Sequence, residues 1–201
     1  MSCCRDALEQ GWGFNIGGGL HHSFPSHGEG FCIINDIAIS INQLKKEGSI
    51  KRAAVVDLDV HQGNGTAVCF QGVPEVTTLS IHQQNNYPSW KPKSDLDVGL
   101  EDGVGDDEYL SKLKESLDWL SAKKKPDIVL FVAGADPYRK DQLGGLSLTK
   151  KGLKKRDNVV FEWAKKRDAP IAVVLAGGYA EDVNDVVDIH FNTFKCLMEG
   201  C

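Results

Sequence analysis

The chain has no apolar run approaching the length of a membrane span, and its first ten residues, MSCCRDALEQ, lack the apolar core of a signal peptide. It has no basic excess. The net charge of -5 argues against direct nucleic-acid binding, which draws on a basic surface to displace counterions. Its six cysteines (Cys3, Cys4, Cys32, Cys69, Cys196 and Cys201) show no C-x-x-C spacing. Reduced thiols in a cytosolic protein are therefore expected, with the nucleus as a further location in a eukaryotic cell. There is also no internal repeat, no low-complexity tract and no linker long enough to divide the chain. What is present is ordinary for a soluble globular protein: 41% hydrophobic and 25% charged residues over 201 positions. That length suits one sizeable domain spanning residues 1–201 and is too short for two.

Taken in order, residues 3–10 read as a helix stopped by Gly11, and Trp12 to Ile16 as a short strand running into Gly17, Gly18 and Gly19. A triple glycine there lets the backbone approach something closely or turn through positive φ. Asn35 or Asp36 caps a helix to about Glu47, with Ile37, Ile41 and Leu44 as its core-facing stripe. Residues 53–59 and Val76 to Ile81 read as strands, and residues 83–105 as a long irregular, polar loop of the kind that is usually functional. A helix from Asp106 or Asp107 carries Leu110, Leu113, Leu117 and Leu120. Asp127 to Ala133 is a strand, Thr149 caps a helix with Leu153, Val160 and Ala164, and Ile171 to Ala176 is the last strand. A final helix, roughly 184–198, carries Val187, Phe191, Phe194 and Leu197. Apolar strands alternating with amphipathic helices predict an α/β fold, a mainly parallel sheet covered on both faces.

The stretch AAVVDLDVHQGNG organises the rest. Strand side chains alternate, so Asp57, Asp59 and His61 project one way while Val56, Leu58 and Val60 project into packing. Two carboxylates and an imidazole on one strand end cost desolvation and repulsion unless something compensates. A divalent metal is the simplest compensation; a solvated acidic strand end is the alternative. Four strand ends carry such residues: His21-His22, Asp57/Asp59/His61, Asp136 and Tyr179. Ligands of parallel sheets bind at those ends, and chance is a poor explanation for all four.

Six pieces in order, GGGLHH, GFCIINDIAISI, DLDVHQGNG, GADP, LGGLSL and AGGY, resemble the zinc-dependent histone deacetylase family. DLDVHQGNG with LGGLSLTKKGLKKRD looks closest to its class IV branch and bacterial relatives, and the resemblance runs from about Ala7 to Met198. It implies a three-layer αβα, arginase/deacetylase-like fold. It implies that Asp59, His61 and Asp136 hold Zn2+, or ferrous iron (Fe2+), and that a structural monovalent cation (K+) lies near Asp57, Ser80 and Ile81. His21 and His22 match the tandem acid/base histidines, with Asp57 orienting the first. Asn64 stands behind the second, where many relatives have an aspartate, so His22 should be easier to deprotonate. Tyr179 matches the oxyanion donor; Gly30, Phe31 and Tyr87 match the walls of the acyl-lysine channel, and Leu143 its apolar rim. The implied reaction is hydrolysis of an acyl-lysine amide in a protein or peptide, with longer acyl groups than acetyl accepted. A small acylated amine or polyamine is the alternative substrate, and an inactive remnant serving as a binding module, with an oligomer possible, the alternative role. Members of the family carry a considerable segment before GGGLHH. An N-terminally incomplete domain, with uncovered apolar surface and weak stability, is therefore expected.

Overall fold

Among residues 1–199, which a computed structural model of the chain describes, the elements run in a β/α alternation. They are α1 (Ser2–Gln10), β1 (Trp12–Asn15), α2 (Asp36–Lys46), β2 (Ala53–Asp57), α3 (Asn64–Phe70) and β3 (Val76–Gln83). Then follow β4 (Leu96–Leu100), α4 (Asp106–Ser121), β5 (Ile128–Val132), α5 (Lys150–Lys166), β6 (Ile171–Val174) and α6 (Val183–Glu199). The strands form one open sheet in the order β1-β6-β5-β2-β3-β4, and every neighbouring pair is parallel.

The β2 residues explain why this strand is central. Ala53 to Asp57 are all buried, because each face of the strand meets a helical layer. Ala54 and Val56, continued by Leu58 and Val60, pack with Phe131, Tyr109, Leu113, Leu153 and Val160 under α4 and α5. Ala53 and Val55 pack with Ala7, Ile37, Ile41, Leu44 and Phe70 under α1, α2 and α3. Helix entries are capped from the sequence: the Asn35 side chain accepts from Ala38 N, and Thr149 Oγ1 accepts from Gly152 N. From β2 the chain builds outward through β3 and β4, then returns to the other side of β2 for β5 and β6. That reversal puts the crevice beyond the carboxyl ends of β2 and β5, where ligands of such sheets bind.

Several expectations need correction. The stretch 83–105 is not all irregular: Leu96, Val98 and Leu100 alternate with Asp97 and Gly99 in a half-exposed edge strand. The short helix α3 has no side-chain cap and begins on Asn64-Gly65, so neither propensity nor capping announces it. β2 leaves the ladder at Asp57, two residues early, as the chain turns toward the site. In α4, Tyr109 rather than Leu110 fills the buried position. α6 buries Ile189, Thr193 and Cys196, which leaves Val183, Val187, Phe191 and Met198 exposed. Its apolar periodicity therefore marks a stripe that no described residue covers in full, although Phe194 meets Phe14 edge-on at 5.3 Å. Cys3, Cys4, Cys32 and Cys69 are free thiols as expected, and Cys201 lies outside the described residues. No helix among the described residues is long and apolar enough to cross a membrane.

Candidate metal centre and substrate cavity

Past the end of β2, Asp59 and His61 meet Asp136, which follows β5. All three are buried, and their ligand atoms lie within 4.8 Å of one another. Backbone amides hold the carboxylates: Val60 N donates to Asp136 Oδ1 at 2.9 Å, and Gly177 N to Asp59 Oδ2 at 3.0 Å. His61 Nδ1 stands 3.1 Å from Asp59 Oδ1 and 3.4 Å from Asp136 Oδ2. Gly177, just past β6, has to be glycine, because a Cβ there would lie 2.3 Å from Asp136 Oδ2.

Without a cation this cluster is electrostatically uncomfortable. Burial, then repulsion from Asp59, pushes Asp136 up to about 7. His61 also moves up: burial opposes its charge, but Asp136 and Asp59 outweigh burial and raise it to about 10. Asp136 Oδ2 is also buried without a hydrogen bond. An orphaned carboxylate oxygen facing a second acid and an imidazole suits a divalent ion, and two carboxylates with one imidazole leave coordination positions open. The donor set fits a metal.

His21 and His22 reach this cluster on the loop after β1. Gly17, Gly18 and Gly19 all take positive φ, and the amides of Gly19 and Leu20 are held by Asp36 at 3.1 and 2.8 Å. His21 Nδ1 bonds Asp57 Oδ2 at 2.7 Å, with Nε2 3.7 Å from Asp59 Oδ1. Burial disfavours its charge, but Asp57 and Asp59 prevail and push it up to about 9. His22 is opposite. Burial, and then the charge on His21, push it down to about 3, while Nδ1 bonds only the neutral Asn64 Oδ1 at 2.8 Å. The lowering comes from burial and from His21; the Asn64 hydrogen bond acts the other way, so the amide is not its cause.

His21, His22, Asp59 and His61 line a cavity of ≈ 350 Å³ together with Gly30, Phe31, Tyr87, Leu143 and Tyr179. Tyr179 is pushed up to about 12 by burial and then by Asp59 and Asp136, so its hydroxyl keeps its proton. Phe31 stands 6.1 Å from the Tyr179 ring at φ 65, and Tyr87 stands edge-on to His22 at 4.8 Å. Asp57 and Ser80 are register partners across β2 and β3, and both Asp57 carboxylate oxygens are engaged, one by His21 and one by Asp59 N.

Sequence reasoning missed Arg156 and Asp157 of α5. Arg156 is fully buried, and its Nη1 donates to Gly134 O at 2.6 Å and Leu58 O at 3.3 Å. Those carbonyls belong to the two turns that carry Asp136 and Asp59. Asp157 accepts from Arg156 Nε at 2.8 Å and from Thr193 Oγ1 at 2.7 Å, which ties α6 into the same lock. In KKGLKKRD nothing separates these two from a solvated charged face.

An open parallel sheet with two carboxylates and an imidazole beyond its central strands defines the class of arginase/deacetylase-like α/β proteins. The histone deacetylase domain family matches residues 1–194, and the chain belongs to it. An uncharacterized protein of Picosynechococcus sp. is 46% identical over 184 residues, covering 92% of this chain and 61% of its own length. Histone deacetylase 2 of Arabidopsis thaliana is 35% identical, covering 90% of this chain and 48% of its own length. The chain thus spans 48% to 61% of the length of these relatives. The crystal structure of a histone deacetylase homolog from Aquifex aeolicus superposes with a TM-score of 0.81 at 27% identity, over 97% of this chain and 55% of that one.

Proposed function

We propose that this chain is a metal-dependent deacylase that hydrolyses the amide of an acyl-lysine in a protein or peptide. The observation that carries the reading is the buried Asp59-His61-Asp136 cluster beneath a cavity lined by His21, His22 and Tyr179. Asp59, His61 and Asp136 would hold a divalent metal, which would supply Lewis acidity at the base of the cavity. His22, neutral and with Nδ1 occupied by Asn64, takes the proton of the attacking water on Nε2. The Tyr179 hydroxyl donates to the oxygen that gains charge as the carbonyl carbon becomes tetrahedral. His21, protonated against Asp57, gives a proton to the departing amine. A free amine and a carboxylate result, with no covalent bond to the protein.

Peptide-borne acyl-lysine is favoured over an acylated polyamine by the state of Asp141. Its carboxylate accepts from the amides of Leu143, Gly144 and Tyr179, so it is committed to the rim turn instead of to a ligand's ammonium. The open Phe31 and Leu143 surfaces at the mouth support acceptance of acyl groups longer than acetyl. The test is metal analysis of the purified chain, with turnover of acetyl- and myristoyl-lysine peptides compared with acetylspermidine. Metal binding with peptide turnover is the expected result. Turnover of acetylspermidine alone would replace this substrate assignment, and a metal-free chain that turns over none of them would defeat it.

A further inference from the structure

Glu29 sits on the rim segment just before Gly30 and reaches three side chains at once. Its Oε2 accepts from Asn64 Nδ2 at 3.1 Å and from the Tyr87 hydroxyl at 3.0 Å, while Oε1 lies 3.2 Å from His27 Nε2. Asn64 in turn presents Oδ1 to His22 Nδ1 at 2.8 Å and to Gly65 N at 3.0 Å. We propose that Glu29 is a positioning residue of the histidine pair, which acts through the Asn64 amide to hold His22 as the Nδ1–H tautomer and to supply the negative charge that Asn64 lacks.

The argument turns on which end of an amide can face which neighbour. A carboxylate only accepts, so it can meet only the NH2 end of Asn64. With Nδ2 turned to Glu29, the oxygen is what remains for His22, and an acceptor there requires the imidazole proton on Nδ1. That leaves Nε2 with a free lone pair. A reversed amide would put a donor against Nδ1 and move the proton to Nε2, where the ring could no longer act as a base. Gly65 N, donating to the same oxygen, pulls in the same direction. The carboxylate is one amide removed from the ring, so it polarises the His22–Asn64 bond without pairing with the imidazole directly.

Glu29 also joins this relay to the channel wall. The oxygen that holds Asn64 holds the Tyr87 hydroxyl, and the Tyr87 ring stands against His22. Gly30 makes the approach feasible, since a Cβ there would lie 2.4 Å from His22 Cδ2 and 2.9 Å from Tyr87 Cε1. Glu29 is half-exposed, at 37% for its side chain, so its replacement disturbs little packing.

The inference rests on the reading of His22 as the base, and its test separates the two. In the metal-loaded protein, labelled with 15N-histidine, His22 shows the Nδ1–H pattern of ring nitrogen shifts. Glu29→Ala and the isosteric Glu29→Gln each raise the Nε2–H population and lower kcat at least about tenfold. KM changes less than about threefold, and metal content and Tm stay at the parent values. Asn64→Asp in the Glu29→Ala background restores most of kcat, because the new carboxylate accepts from Nδ1 directly. Asn64→Asp alone gives no gain, because it sets two carboxylates against each other. Unchanged tautomer and kcat in both Glu29 variants, or a kcat loss that tracks metal loss, would overturn the assignment. If the chain turns over no acylated substrate, the functional reading fails while the nitrogen shifts still decide the role of Glu29.

Discussion

Asp59 and Asp136, at the floor of the cavity, are 1% and 0% exposed, whereas Phe31, Tyr87 and Leu143 at its mouth are 84%, 37% and 44% exposed. The floor is held at many points. Backbone amides fix three carboxylate oxygens, Arg156 fixes the carbonyls behind them, and Gly134 and Gly177 leave no room for a Cβ. The mouth is held at a few points: Tyr87 by Glu29, Leu143 by Asp141 through its backbone, and Phe31 in a left-handed conformation unusual for a residue with a side chain. In the reading given above, the chemistry rests on over-determined geometry and substrate choice on replaceable surface.

Substitutions sharpen that contrast. Asp136→Ala should have the largest effect, removing stoichiometric metal from the purified chain and with it essentially all turnover; metal content unchanged in a folded variant would break the assignment. Arg156→Met leaves Asp157 buried without its cation, which costs about 3–5 kcal/mol of stability. Urea titration reads that loss, and a midpoint near the parent value would show that the lock is ornamental. Tyr179→Phe should keep metal content and lower kcat by about 100- to 1,000-fold, as expected for loss of one oxyanion donor. A rate within about threefold of the parent would remove Tyr179 from that role. Leu143→Ala, at the mouth, should alter KM for a long-chain acyl peptide by less than about tenfold and leave Tm within a degree or two. A large loss of stability there would erase the distinction between floor and mouth.

How far the sequence foretold this division depends on the residue. Asp57, Asp59 and His61 were legible because strand alternation places them before any partner is known, and Asp136 and Tyr179 because each follows an apolar run closed by a small-residue turn. Glu29 and Arg156 were not, because their roles come from what distant segments bring to them. Arg156 lies in a lysine-rich helix where charge ordinarily means solvent, and only the carbonyls of Leu58 and Gly134 reveal it as buried. β4 was hidden for a related reason: its alternation is short, half-exposed and set among prolines and polar residues. For α6 the apolar period names a stripe and not the surface that covers it; Ile189, Thr193 and Cys196 are the buried side.

One nitrogen of Arg156 bridges the carbonyls of Gly134 and Leu58, so the turns bearing Asp136 and Asp59 share a single pivot. Two segments far apart in the chain thereby lose their freedom to slide past each other. A displacement of α5 therefore reaches the turns of both acids through one side chain. The spacing between the acids is then the protected quantity, and their common height above the sheet is the softer one. An ion held there would feel the scaffold breathe as one body, without its cage being pulled open from one side.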